Sequence, residues 1–284
     1  MCPVCLANMT FIAASATSTG GLTAFVARKF YTAKENRMTT ADFKTSMNRP
    51  IVSRQEWLTA RRDLLAKEKE SSRERDALNA ERRNLPVVRV ESEYVFDGPG
   101  GRTTLRDLFG PHSQLLTYHF MFDPAWEEGC KSCSHLMDGI AGSLVHLAAR
   151  DTAFVAVSRA PIAKIEAFKK RMGWTFPWVS SGGNDFNYDF HATLDAEHGS
   201  NEYNYANSAE LFKARKIWFE KGDLPAMSVF VRDGESVFHS YSTYQRGLDL
   251  FLSTYNLLDL TPLGRQEDDG RIQAWIRHHD KYPA

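Results

Sequence analysis

Residues 123–139 read DPAWEEGCKSCSHLMDG and carry two cysteines, Cys130 and Cys133, separated by two residues. A CxxC pair can be a redox couple, half of a metal site, or two buried structural thiols. The preceding run QLLTYHFMF, residues 114–122, is apolar, β-branched and aromatic, which predicts a central strand buried on both faces. The pair is therefore predicted to lie where a buried strand is followed by a helix.

The elements that follow the pair predict the fold class. Residues 133–151 have apolar side chains at helical spacing, residues 152–160 form a second buried run, and residues 161–174 again fit a helix. Residues 225–242 alternate around an Asp-Gly turn, a strong β-hairpin signal, and another helical run follows. This order predicts an α/β protein with a thioredoxin-like fold, in which helices flank a central mixed sheet.

A long charged helix is predicted ahead of the sheet. Ser53 and Glu56 form a capping box, and Pro86 stands where a helix has to end. Because the apolar stripe is thin and the basic residues are matched by acidic ones, we expect residues 48–86 to pack on the main domain by one edge. The predicted thioredoxin-like domain then spans residues 87–284.

Composition excludes several functional classes. The 284-residue chain has 43% hydrophobic residues and a formal net charge of zero, so no overall field favours nucleic acid or an anionic membrane. Four cysteines are too few for a disulfide-stapled secreted domain, and we expect a cytoplasmic protein. Residues 1–27 have no charged side chain and only modest hydrophobicity, so we interpret residues 1–47 as a flexible or weakly apolar helical leader rather than a membrane anchor.

The predicted position of the CxxC pair suits thiol–disulfide exchange. Unpaired amides and the macrodipole at a helix N-terminus stabilise a thiolate at the first cysteine. We therefore expect Cys130 to be the exposed nucleophile and Cys133 the resolving thiol, with their disulfide as the redox group and no other cofactor. Lys131 favours the thiolate, whereas Glu127 and Glu128 oppose it.

Four further residues are predicted to belong to the site. Pro225 precedes the hairpin strand, where thioredoxin-like proteins place a cis-proline beside the disulfide, although a trans proline is the commoner case. Ser158 and Arg159 end a predicted strand at the CxxC end of the sheet, where ligands collect in open α/β sheets. Arg159 is expected either to hold an anionic group or to form a structural ion pair. Trp126, four residues before Cys130, is predicted to contact the substrate.

Two alternatives to the redox interpretation stay open. Cys2 and Cys5 form a second CxxC that could complete a four-cysteine zinc site with Cys130 and Cys133, and the latter pair with a histidine could hold copper. The other alternative is a non-enzymatic binding module that presents the aromatic loop around residues 184–205 to a ligand. In that case the charged helix docks a partner subunit, which allows a homodimer.

The chain from about Ile51 to Tyr282 resembles a bacterial family of thioredoxin-like proteins catalogued as domain of unknown function 899. The resemblance is carried by stretches such as YHFMFDPAWEEGCKSCS, NDFNYDF and SVFVRDGESVFHSYSTYQRGLD. It implies a thioredoxin-like fold with an elaborated C-terminal half, and it supplies no substrate.

The CxxC stretch departs from two better-known groups with this fold. Thioredoxins resemble W-C-x-x-C, whereas Gly129 directly precedes the first cysteine here. Peroxiredoxins resemble P-x-x-x-T-x-x-C, and neither cysteine has a threonine three residues before it. Because the usual threonine partner is missing, the sequence favours peroxidase activity less. The leading prediction is a thiol–disulfide oxidoreductase that acts on an unidentified thiol or disulfide.

Overall fold

The structure is a computed structural model that describes residues 49–217, 219–267 and 270–283. The described chain falls into two compact units that divide after Leu78. The predicted leader, residues 1–47, lies outside the described residues, so its conformation stays a prediction.

Helix α1 spans Arg54–Arg83. The amide of Ser53 donates to the Glu56 carboxylate at 2.9 Å, and the amide of Glu56 donates to Ser53 Oγ at 3.2 Å, which confirms the predicted capping box. No residue of this helix is buried. The predicted packing of residues 48–86 on the main domain stays a prediction.

A mixed sheet of eight strands organises the described residues of the second unit. Its centre is formed by β4 (Gln114–His119), β5 (Thr152–Ser158), β11 (Ala226–Asp233) and β12 (Ser236–Tyr244). Strand β4 runs parallel to β5 and antiparallel to β11, and β11 pairs with β12 across the hairpin. The order β12–β11–β4–β5 is that of a thioredoxin-like core and confirms the predicted fold class.

Short strands extend this sheet at both edges. The remaining strands of the sheet are β1 (Val88–Arg89), β2 (Val95–Gly98), β3 (Gly101–Thr104) and β6 (Trp178–Ser180). Strand β6 adds parallel to β5, the β2–β3 hairpin follows it, and β1 pairs with β12. Two small ladders elaborate the C-terminal half: β7 (Thr193–Leu194) with β10 (Gly222–Asp223), and β8 (Glu202–Tyr203) with β9 (Ala206–Asn207).

Helices pack on the sheet and position the CxxC pair. The longer helices of this unit are α2 (Lys131–Ile140) and α4 (Ile162–Arg171), and the short ones are α3 (Leu144–Ala148), α5 (Phe186–Asp189), α6 (Ser208–Lys213) and α7 (Ser253–Leu258). The helix predicted over residues 133–151 is divided by a 3₁₀ turn at Ala141–Ser143. Within the described parts of the chain, no helix has the length and apolar character needed to cross a membrane.

The core lies on both faces of strand β4. Tyr118 contributes to a cluster with α2 and α4, whereas Leu115 contributes to a cluster on the opposite face. Both side chains are buried, as predicted for a central strand. The loop that leads to α2 therefore begins at the end of a strand that is buried on both faces.

Candidate active site

Cys130 and Cys133 lie where the chain passes from strand β4 into helix α2. Cys130 is the residue that caps α2, and its amide donates to the Met121 carbonyl at 3.0 Å. Its own carbonyl accepts hydrogen bonds of 2.9 Å from both the amide and the hydroxyl of Ser134. Neither cysteine is in a disulfide, so the pair is present as a dithiol.

Both cysteines are buried, with 2% of Cys130 and 1% of Cys133 exposed. The prediction that Cys130 is an exposed nucleophile is therefore wrong. The reason is that Leu248, Leu252 and Tyr255, from the C-terminal forty residues, pack in the same buried cluster as both cysteines. This covers the pair in a way that no local pattern indicates.

The Cys133 thiol is held in its protonated form. Burial raises its pKa well above the ordinary value, and its hydrogen bond with Cys130 acts in the same direction. The hydroxyl of Tyr118 also hydrogen-bonds with Cys133, and burial raises the pKa of this phenol too. The resolving cysteine attacks only after the mixed disulfide has formed, so a thiol that stays protonated until that step suits this position.

Glu128 is neutralised by two cations. Its carboxylate lies 2.6 Å from Arg171 Nη1 and 2.6 Å from Lys281 Nζ. Partial burial alone raises the pKa of Glu128, but the hydrogen bonds from these cations outweigh it and hold the pKa below its ordinary value. The predicted opposition of this carboxylate to a thiolate at Cys130 is therefore offset by charges from elsewhere in the chain.

The C-terminal segment His278–Lys281 contacts the loop that precedes Cys130, at Glu128 and Gly129. His278 Nε2 donates to the Gly129 carbonyl at 2.9 Å, and Arg171 donates to the other ring nitrogen of His278 at 3.3 Å. Asp280 pairs with Arg171 at 2.8 Å. No pattern in the sequence indicates a role for these residues, because their partners are more than 100 positions away.

Gly129 has room for no side chain. A Cβ atom at this position would lie 2.7 Å from a ring carbon of Phe120 and 2.8 Å from one of Phe168. The tryptophan that precedes the first cysteine of thioredoxins therefore cannot be accommodated here. The departure noted in the sequence has a steric cause in the aromatic core.

A cavity of about 280 Å³ opens onto both thiols. Its buried apolar wall includes Met121, Leu136, Leu224, Leu248, Leu252 and Tyr255. Pro225 also lies in this wall, next to the cysteines as expected, but its preceding peptide bond is trans. The cis-proline suggested by the fold is therefore absent at this position, and the bond has the commoner trans isomer.

All three predicted substrate-binding residues lie away from this cavity. Ser158 is fully buried, donates to the Phe120 carbonyl at 2.7 Å and accepts from Trp178 Nε1 at 3.0 Å. Trp126 packs against the core beside α4, and its carbonyl accepts a hydrogen bond from Lys164. Neither side chain lines the cavity.

Arg159 is the third of these residues, and its guanidinium is occupied by ion pairs. It contacts Asp223 at 2.7 Å and also Asp123, and it lies over the ring of Tyr188. The geometry matches the structural pairing considered above rather than a free anion site. The strand end that the sequence identified is thus filled by the protein's own carboxylates.

The aromatic loop around residues 184–205 divides between two roles. Phe186 and Phe190 pack in the core on the face of the sheet opposite the cysteines. Tyr203 lines the cavity, and its hydroxyl donates to the Pro225 carbonyl at 2.9 Å. One aromatic residue of the loop therefore takes part in the candidate site, beside wall residues that the sequence did not indicate.

His119 is a satisfied core residue rather than a base at the site. Its ring nitrogens are hydrogen-bonded to Asn187 Oδ1 and Ser228 Oγ, each at 3.0 Å, and its ring stacks on Phe186. Burial lowers the pKa of His119 to about 4. The imidazole is therefore neutral in the folded protein at physiological pH.

We expect His119 to make folding pH-dependent. The unfolded imidazole binds a proton below about pH 6.5 but the folded one only near pH 4, so the unfolded state binds more protons in this window. The contribution of neutral His119 to stability is fully present above pH 6.5, and about 3 kcal/mol of it is lost as the pH drops to 4. Urea unfolding of His119→Gln should show a shallower fall over this window; an unchanged slope relative to wild type contradicts the assignment.

Metal ligands are not brought together in the described chain. Among residues 49–217, 219–267 and 270–283, no group of three or more His, Cys, Asp and Glu side chains is placed to hold a metal ion. Cys2 and Cys5 lie outside these ranges, so the four-cysteine zinc alternative stays untested by geometry.

Comparison with known proteins gives one family and a set of similar folds. The family described as "Bacterial protein of unknown function (DUF899)" matches residues 46–282. No curated protein sequence matches the chain. A cysteine-to-serine variant of peroxiredoxin Q from Xanthomonas campestris is 15% identical and covers 61% of this chain and 98% of its own, at a TM-score of 0.40.

A peroxidoxin from Mycobacterium tuberculosis is similar to a comparable degree. It is 12% identical, covers 61% of this chain and 97% of its own, and has a TM-score of 0.39. At such values the similarities carry no statement about activity.

Proposed function

We propose that this chain, which belongs to the bacterial family DUF899, is a thiol–disulfide oxidoreductase whose redox group is the Cys130–Cys133 dithiol. The observation that carries the proposal is the position of two reduced, mutually hydrogen-bonded thiols at the start of α2, both lining one cavity. Thiols at a helix N-terminus next to a ligand-sized space have the arrangement that disulfide exchange requires.

The reaction proceeds in two displacements. The Cys130 thiolate attacks one sulfur of the substrate disulfide, the substrate S–S bond breaks, and one half leaves as a thiolate that takes up a proton. Cys133 then loses its proton and attacks Cys130 in the mixed disulfide, which releases the second half as a thiol. The substrate gains two electrons and two protons, and the protein is left with a Cys130–Cys133 disulfide.

The surrounding residues assist these displacements in distinct ways. The macrodipole of α2 and the charge of Lys131 favour a thiolate at Cys130, while Glu128 is neutralised by Arg171. The raised pKa of Cys133 keeps that thiol protonated during the first attack, so the two sulfurs do not compete. Its hydrogen bond to Tyr118 fixes the thiol near Cys130.

Equilibration in redox buffers tests the proposal. Full-length protein is incubated in a series of glutathione and dithiothreitol redox buffers and alkylated, and its mass is then measured. We expect the Cys130–Cys133 pair to pass reversibly between the dithiol and disulfide forms. Cys130→Ser is the matched control and is expected to show no such transition at this pair. A pair that stays reduced in every buffer, from reducing to mildly oxidising, would end the proposal.

A further inference from the structure

In the described part of the chain, both thiols are buried and line the cavity, so we take the cavity as the route by which a substrate reaches them. Cys130 and Cys133 are 2% and 1% exposed, and both belong to the cavity's lining. A disulfide that reacts with Cys130 must therefore place its sulfur inside this space, in line with the attacking thiolate. The shape and chemistry of the wall then select the substrate.

The wall offers apolar contact and few free charges. Its buried part consists of aliphatic and phenolic side chains such as Leu224, Leu248 and Tyr255. Among its charged members, Arg246 is paired with Asp249 at 2.5 Å, and the Glu267 carboxylate accepts hydrogen bonds from its own neighbours. An apolar molecule gains free energy on entering such a space, whereas a charged one leaves water without a new buried partner.

The other two charged residues of the wall, Arg265 and Lys216, also leave the cavity more favourable for an apolar molecule than for a charged one. Arg265 is paired with Asp259 at 2.6 Å and lies over the Tyr255 ring at 4.0 Å. Lys216 lies at the exposed rim, where solvent already hydrates its ammonium group. The interior of the cavity is thus suited to uncharged groups.

The size of the cavity limits the substrate further. A volume of about 280 Å³ exceeds the roughly 150 Å³ that accommodates benzene and lies near the lower end of small-molecule sites. It has room for a small ring or a few carbon atoms on each side of a disulfide. The two polypeptide chains that flank a protein disulfide are bulkier than the groups that this volume holds.

We propose that the substrate is a low-molecular-weight disulfide with uncharged, apolar substituents, an inference that rests on the proposed function of the dithiol. One such molecule, RSSR, enters the cavity and is reduced by Cys130 and Cys133 to two molecules of RSH, while the protein dithiol becomes the Cys130–Cys133 disulfide. Atoms and electrons balance within this single turnover, so no further reductant takes part in the step.

Single-turnover kinetics with three disulfides test this substrate class. Reduced full-length protein is mixed with dipropyl disulfide, oxidised glutathione or insulin, and each rate constant is divided by that of free dithiothreitol with the same disulfide. We expect the normalised rate for dipropyl disulfide to be about tenfold or more above the other two, because its propyl groups leave water on binding. Equal normalised rates, or a preference for insulin, overturn the inference.

Variants at the cavity mouth and wall test whether dipropyl disulfide reaches the thiols through the cavity. Ile272 lines the cavity and is 59% exposed, so Ile272→Asp should fold and slow the reduction of dipropyl disulfide. Leu257→Asp is the matched control, because this leucine is 65% exposed and lies outside the cavity. Leu248→Trp should occupy part of the cavity and also slow the reduction of dipropyl disulfide. If Ile272→Asp and Leu248→Trp both retain wild-type rates with dipropyl disulfide, the cavity is not its route.

Failure of the substrate class and failure of the proposed function give different results. If dithiothreitol redox buffers oxidise the pair but dipropyl disulfide reacts no faster than the other two disulfides after normalisation, the redox function of the dithiol is supported and the proposed substrate class is wrong. If those buffers leave the pair reduced, both fall together.

Discussion

Replacement of Cys130 by serine is expected to abolish disulfide reduction, whereas replacement of Cys133 is expected to stop the reaction halfway. A serine hydroxyl does not form the nucleophilic anion at neutral pH, so Cys130→Ser should show no release of thiol above background. In Cys133→Ser the first displacement still occurs, but no thiol is present to break the mixed disulfide. That variant should accumulate one substrate half covalently attached at Cys130.

Mass spectrometry of the unreduced proteins distinguishes these states. Cys133→Ser treated with dipropyl disulfide should gain the mass of one propylthio group, located on the peptide that contains Cys130. Cys130→Ser treated in the same way should keep its original mass at this pair. Trapping at Cys133 rather than Cys130 would reverse the assigned roles and contradict the order of displacement.

Introduction of a methyl group at Gly129 is expected to destabilise the protein by overpacking the aromatic core beside the site. The added Cβ would overlap ring carbons of Phe120 and Phe168, and both rings are enclosed by the aromatic core. Overpacking of this kind costs about 1–3 kcal/mol. The same displacement would shift the residue next to Cys130, so slower thiol exchange should accompany the loss of stability.

Gly142→Ala is the matched control for this prediction. Its Cβ would meet no atom within 4 Å, so the free energy of unfolding should change little. Urea unfolding and single-turnover kinetics of both variants, measured together, give the comparison. A Gly129→Ala protein as stable as Gly142→Ala would show that the loop before Cys130 packs differently from the structure described here.

The features set by local sequence were predictable. The capping box at Ser53 and Glu56, the Asp-Gly hairpin and the strand that precedes Cys130 each depend on neighbouring residues, and the structure contains all three. The order of strands and helices then leaves few topologies, so the thioredoxin-like core followed from the same patterns.

The features set by distant residues were not predictable. The burial of Cys130 depends on C-terminal elements that pack on α2, and the contact of His278 with Gly129 joins residues 149 positions apart. Arg159 was correctly placed at a strand end, but its partners are Asp123, in the loop after β4, and Asp223, in the short strand β10. A single sequence carries no local signal for such pairs, because their spacing follows no periodicity.

Identification of the cysteines that become joined on oxidation tests the central claim most directly. Full-length protein is oxidised with a stoichiometric amount of a small disulfide, digested without reductant and mapped by mass spectrometry, then reduced and mapped again. The account predicts a disulfide between Cys130 and Cys133 that forms fully and disappears on reduction, with Cys2 and Cys5 not required. Oxidation that joins other cysteines, or leaves Cys130 and Cys133 as thiols, would contradict it.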